Sequence, residues 1–107
     1  MMGSKSDLPF AETIKKFIEN EGFEVKCEYA VSSAHRTPDF LIEKLRELEK
    51  SEDYIVILTV AGLSDALSGT VAGISTHPVI ACPPDIEKRG FAKIFSSVMT
   101  PIGVPVL

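Results

Sequence analysis

Ser33-Ala34-His35-Arg36-Thr37-Pro38 sets a titratable imidazole beside a fixed positive charge, between small hydroxyl residues. A neutral imidazole can take a proton and return it near neutral pH, and a guanidinium offers a planar fork of donors to an oxyanion. A lone His-Arg pair is more often an ordinary solvated loop, so its weight depends on where the chain places it. Two other small polar stretches, Gly3-Ser4-Lys5-Ser6-Asp7 and Ala61-Gly62-Leu63-Ser64-Asp65, have the composition of loops. The first is of the kind that lets backbone amides approach a phosphate.

The elements that must position these stretches follow from apolar spacing. Phe10, Ile14, Phe17 and Ile18 recur at helical intervals between Leu8 and Glu21, with Glu12, Lys15, Lys16 and Glu19 opposite. Pro9 near the start and Gly22 just past the end bound this helix, and Asp7 is placed to cap it. From Phe23 to Val31 the alternation is strict, which predicts a strand with one buried face near a sheet edge. Thr37-Pro38 then opens a second helix with a capping hydroxyl and a stripe of Leu41, Ile42, Leu45 and Leu48. Tyr54 to Val60 is apolar nearly throughout and predicts a central strand covered on both faces. A helix of small residues follows from Ala66 to Ser75, suited to close packing on the sheet or on another subunit. His77 to Cys82 reads as another strand, closed by Pro83-Pro84, with His77 in a structural role. Phe91, Ile94, Phe95 and Val98 mark a last helix, and Pro101 to Leu107 reads as a turn running into a strand.

Strands alternating with helices imply a parallel sheet with right-handed crossovers, hence an α/β fold. All three polar junctions follow strand positions and precede helices, so they lie together at the carboxyl edge of one sheet. Ligands bind there in such folds. A single site made of three loops is the consequence, and it depends on no one motif.

Length and composition limit the alternatives. With 107 residues, 45% hydrophobic and 24% charged, the chain suits one compact α/β domain over residues 1–107. A net charge of -4 without any Lys/Arg cluster argues against nucleic acid or a membrane surface as partner. A small anion remains compatible, since one Arg and a few backbone amides suffice for it. Cys27 and Cys82 are far apart and in no metal-ligand spacing with His35 or His77, so both read as reduced, buried thiols of a cytoplasmic protein. No leader-like or membrane-spanning apolar run is expected.

Taken in order, Gly3-Ser4-Lys5-Ser6-Asp7, Ser33-Ala34-His35-Arg36-Thr37-Pro38, Ala61-Gly62-Leu63-Ser64-Asp65-Ala66-Leu67-Ser68-Gly69 and the Pro78 to Pro84 strand resemble the aminoimidazole ribonucleotide carboxylases and mutases of purine synthesis. The similarity covers nearly the whole chain, although members of that family carry a fuller first strand and further C-terminal elements. It implies a flavodoxin-like three-layer sandwich, usually an octamer, that needs neither metal nor organic cofactor. The implied partners are a small ribonucleotide and carbon dioxide. By the same resemblance His35 is the catalytic histidine and Arg36 the phosphate ligand. Ser4, Asp7, Ser33, Gly62 and Ser64 match substrate-binding positions, with Asp7 accepting from ribose hydroxyls.

The third loop bears on the branch. The mutases, which rearrange N5-carboxyaminoimidazole ribonucleotide, usually carry a histidine at the position of Ala66, whereas the carboxylases that use carbon dioxide show Gly-Arg-Ser-Asn-Ala-Leu. Gly62-Leu63-Ser64-Asp65-Ala66-Leu67 is more similar to the second, with Leu63 in place of Arg and Asp65 in place of Asn. His35-Arg36 is the form more usual in the mutases. The expected activity is therefore carboxylation of aminoimidazole ribonucleotide at C4, with the mutase reaction or a silent nucleotide-binding homologue as alternatives. Asp65 is expected either to repel a carboxylated substrate or to cap the small-residue helix.

Overall fold

A computed structural model describes residues 1–107, the side chain of Arg89 excepted. A single turn of 3-10 helix at Lys5–Asp7 leads into helix α1 (Leu8–Asn20). Helix α2 (Pro38–Leu48), strand β1 (Ile57–Thr59), α3 (Ala66–Ile74) and β2 (Val79–Ala81) follow. Two short helices, α4 (Ile86–Arg89) and α5 (Ala92–Val98), close the described order.

Strands β1 and β2 pair in parallel, with Ile57, Leu58 and Thr59 opposite Val79, Ile80 and Ala81. Met2 bridges in parallel to Val31 on one side and to Val60 on the other. Its amide donates to the Ala30 carbonyl at 2.7 Å, and its carbonyl accepts from Ser32 at 2.8 Å. At the far edge the Leu107 amide donates to Val79 at 3.0 Å and its carbonyl accepts from Ala81 at 2.7 Å. The order across the sheet is thus Val31, Met2, β1, β2, Leu107, the flavodoxin-like arrangement in which the first segment is interior, between the second and the third.

Two apolar clusters cover the sheet. On one face Leu41 and Leu45 of α2 meet Leu67 and Val71 of α3 over Ile57, Ala61 and Val79. A second cluster joins Ala11 of α1 to Met2 and Val60, with Phe10, Ile14 and Cys82 packed against it. Small residues bring α3 close to its neighbours. The Ser68 hydroxyl lies 2.7 Å from the Thr59 hydroxyl of β1, and a Cβ on Gly69 would stand 3.3 Å from the Thr100 methyl. Of the two packing surfaces open to α3, the sheet is therefore one that it uses.

Several boundaries differ from expectation. Phe23 to Val31 is not a ladder: Phe23 and Val25 are each 61% exposed, and pairing is confined to Val31. Met2 supplies its one bridge, and exposure falls from Phe23 and Val25 toward Tyr29 and Val31, where Lys15 stands over the Tyr29 ring. The second strand is also shorter than its apolar run, with Tyr54 fully exposed and Val56 half exposed. Phe17 lies outside the buried stripe of α1, where Ala11 takes the interior position. Cys27 and Cys82 are free thiols, half-buried instead of buried. His77 is structural as expected: its Nε2 sits 3.4 Å from the Leu48 carbonyl and 3.7 Å from Glu49, beside the start of β2. No described helix is long and apolar enough to cross a membrane.

Candidate active site

The first loop is built by local polar closure. The Ser4 hydroxyl accepts from the Ser6 amide at 3.3 Å, and the Asp7 carboxylate accepts from the Ser4 amide at 3.1 Å, a reciprocal capping box. Asp7 does not cap α1, although it occupies the capping position; its carboxylate turns back into the loop. Burial pushes the Asp7 carboxyl above its ordinary pKa. The Ser4 amide and the charges of Lys93 and Arg36 pull the other way, and Asp85 adds to the rise.

The second loop closes in a similar way. Ser33 donates its amide to the Thr37 hydroxyl at 3.0 Å, and its own hydroxyl accepts from the Arg36 amide at 3.2 Å. Thr37 therefore stabilises the loop before α2 and makes no side-chain cap on that helix. His35 and Arg36 are held at the exposed tip of this closed loop. The imidazole makes no hydrogen bond among the described residues. The Arg36 guanidinium donates across to the Gly3 carbonyl at 3.3 Å, tying the second loop to the first. Ser32, next to this loop, is buried with its hydroxyl unpaired among the described residues.

The third loop meets the first at Gly62, where an added Cβ would lie 3.3 Å from the Asp7 carboxylate. Hydrogen at this position permits the approach. Gly62, Leu63 and Ser64 form one wall of an open cleft of about 510 Å³; Ala92, Lys93 and Ser96 of α5 form the other. Of the seven residues singled out from the sequence, Ser4, Asp7, Arg36 and Gly62 are thus linked through direct contacts among the loops. Ser33 braces Arg36, Ser64 lines the cleft, and His35 sits on the braced loop, its imidazole making no hydrogen bond to the other six.

Asp65 belongs to the interior. Only 5% exposed, it caps α3 by accepting from the Ser68 amide at 2.9 Å, and it also accepts from the Ser68 and Ser97 hydroxyls, the latter at 2.6 Å. Its own amide donates to the Ser96 hydroxyl at 3.0 Å. The carboxylate is committed to these donors, which settles the two expectations for it in favour of the cap.

Lys93 is the cleft residue that sequence reasoning missed. Its ammonium donates to the Pro84 carbonyl, and its charge reaches Asp7. The signal available was one cation in the apolar run Phe91 to Val98, which spacing alone assigns to a solvated helix face.

The three-loop geometry has counterparts. The sequence model of the family described as AIR carboxylase matches residues 1–107. The chain belongs to the AIR carboxylase family. It is 43% identical over 104 residues to a phosphoribosylaminoimidazole carboxylase of Archaeoglobus fulgidus, covering 97% of this chain and 56% of that protein. It is 42% identical over 106 residues to an N5-carboxyaminoimidazole ribonucleotide mutase of Methanocaldococcus jannaschii, covering 99% of this chain and 64% of that protein. The chain thus spans between half and two thirds of the length of these relatives. A crystal structure of Treponema denticola PurE superposes with a TM-score of 0.84 at 36% identity, covering 99% of this chain and 67% of that one. Members of the AIR carboxylase family thus share both its sequence and its α/β architecture.

Proposed function

We propose that this chain carries the nucleotide site of an enzyme of purine biosynthesis that carboxylates aminoimidazole ribonucleotide at C4, with carbon dioxide as donor. The contact of all three loops at the switch point of the sheet is the observation that carries this reading. With this reading, on the family resemblance, go a small ribonucleotide and carbon dioxide as partners, in a homo-oligomeric, cytoplasmic protein of octameric form, without nucleic acid or membrane. No metal or organic cofactor enters the chemistry below.

In that reaction the ring electron pair at C4 attacks the carbon of carbon dioxide, and the new C–C bond leaves C4 bearing both hydrogen and carboxylate. Neutral His35 removes the C4 proton, and the electrons of the C–H bond restore the aromatic ring. Running in reverse, His35 returns the proton to C4 and carbon dioxide departs. Arg36, exposed and braced by Ser33, would take the phosphate, with the first-loop amides beside it. Asp7 would accept from the ribose hydroxyls, and Ser4, Gly62 and Ser64 would line the ring.

The choice of carbon dioxide rests on the third loop, which has Ala66 where mutases usually carry histidine. The inward orientation of Asp65 removes an objection to activity in either branch, because no carboxylate of residue 65 then opposes the carboxylated nucleotide. The His35-Arg36 pair and the likeness to the Methanocaldococcus mutase favour a second reading, in which the N-carboxylated nucleotide is the substrate. Offering each nucleotide separately at low bicarbonate tests the two. Turnover of aminoimidazole ribonucleotide that rises with added bicarbonate is expected. Faster turnover of the N-carboxylated nucleotide, indifferent to bicarbonate, would assign the mutase reaction, and calorimetric binding without any turnover would mark a silent homologue.

A further inference from the structure

Lys93 carries the one formal charge among the described residues lining the cleft beside the third loop. Opposite it stand Gly62, Leu63 and Ser64, none of them ionisable in the neutral range. The hydrogen bond to the Pro84 carbonyl fixes where the ammonium sits. The helix bearing it is held in turn, because Ser97 donates to the buried Asp65 carboxylate and Ser96 accepts from the Asp65 amide. The field of Lys93 reaches Asp7, so the cleft and the Asp7 side of the site form one electrostatic unit. Arg36 acts on Asp7 in the same sense as Lys93, and Asp85 in the opposite one.

An uncarboxylated imidazole is uncharged where it would face this wall, whereas C4-carboxylation adds an anion there. We infer that Lys93 is a specificity-determining binding residue that receives the substrate's C4 carboxylate in the cleft between the third loop and α5. The inference rests on the proposed nucleotide reaction and adds to it a second, carboxylate-selective cation distinct from Arg36. It also gives Leu63 a consequence: with an aliphatic side chain on the loop, the positive charge in this cleft comes from the helix across it.

The test measures calorimetric affinity for aminoimidazole ribonucleotide and for its C4-carboxylated product, in the intact protein and in Lys93→Met and Lys93→Arg. Thermal melts establish that each variant is folded. Lys93→Met should weaken the carboxylated nucleotide about tenfold or more and the uncarboxylated one by less than about twofold, since a charge-assisted hydrogen bond is lost for one ligand only. Lys93→Arg should restore most of the difference. Equal losses for the two nucleotides, or none, in a parent that binds both would overturn the role of Lys93 and leave the reaction standing. A parent that binds neither nucleotide would overturn the reaction and this inference together. Should Lys93→Met fail to fold, the comparison is made in Lys93→Gln, with the same two outcomes deciding.

Discussion

The Ser97 hydroxyl donates to the Asp65 carboxylate at 2.6 Å, joining the third loop to a helix 32 positions further along the chain. With the Ser68 amide and hydroxyl on the same carboxylate, and the Ser68 hydroxyl against Thr59, a buried polar chain runs from β1 through α3 to α5. Asp65→Ala removes a cap and strands buried hydroxyls, so it should cost roughly 2–4 kcal/mol in urea unfolding. Asp65→Asn keeps one accepting oxygen and should cost about 1 kcal/mol while leaving turnover close to that of the parent. A large gain in turnover for Asp65→Asn would mean that the carboxylate opposes the substrate after all.

His35 is exposed and makes no hydrogen bond among the described residues, so folding draws little from it. His35→Asn should change stability by no more than about 0.5 kcal/mol. If the imidazole moves the C4 proton, turnover should fall by a factor of about 10² to 10⁴. Denaturation and steady-state rates on the same preparation decide, and a destabilised but fully active variant would reassign His35 to structure.

Arg36 is anchored to Gly3 through a single guanidinium nitrogen. Arg36→Lys keeps the charge and loses the planar fork, so affinity for the phosphorylated nucleotide should drop about tenfold. The corresponding nucleoside should be bound almost as before. Equal losses for nucleotide and nucleoside would exclude phosphate as the ligand of this side chain.

Asp7 has a sign that can be worked through. Because burial raises its folded carboxyl pKa, the folded state holds the proton more tightly than the unfolded chain does. The stability from this group is fully present below the ordinary carboxyl value and is lost as pH rises through the raised one. Asp7→Asn retains an acceptor for the Ser4 amide and should flatten that part of the pH profile without loss of stability at neutral pH. Nucleotide affinity should behave oppositely, falling in the parent as acid protonates Asp7, and Asp7→Asn should bind weakly at every pH. Melting curves and calorimetry across the acid range follow both.

Gly62→Ala probes the meeting of the first and third loops. A methyl group 3.3 Å from the Asp7 oxygen forces that carboxylate to shift while its bond to Ser4 resists. Nucleotide affinity should fall several-fold with little change in melting temperature. Unchanged affinity would show that the Asp7 carboxylate has room to move.

Much of this arrangement was legible as periodicity. The stripe of Leu41 and Leu45, the proline start of α2, and small polar loops after successive strand positions place the three loops on one edge. Alternation was a poorer guide from Phe23 to Val31, because it records which side chains share a face and not whether a neighbour covers that face. The cap by Asp65 was one of two local readings, since Ser68 lies three residues on. Lys93 in the cleft and the Ser97 bond to Asp65 were hidden for another reason: both depend on α5 returning to the third loop across some thirty residues, and no local pattern records a contact of that range.

Met2 stands between Val31 and Val60, 1% exposed, and the first loop springs directly from it. A molecule bound by Arg36, Asp7 and the Gly62 loop would therefore fasten together three backbone segments that meet there. Occupancy and folding would then be thermodynamically linked, with the melting temperature rising as the logarithm of free nucleotide concentration above its dissociation constant. The Met2 pairings, with one bridge to each side, would be the part of the sheet most strengthened by the occupant.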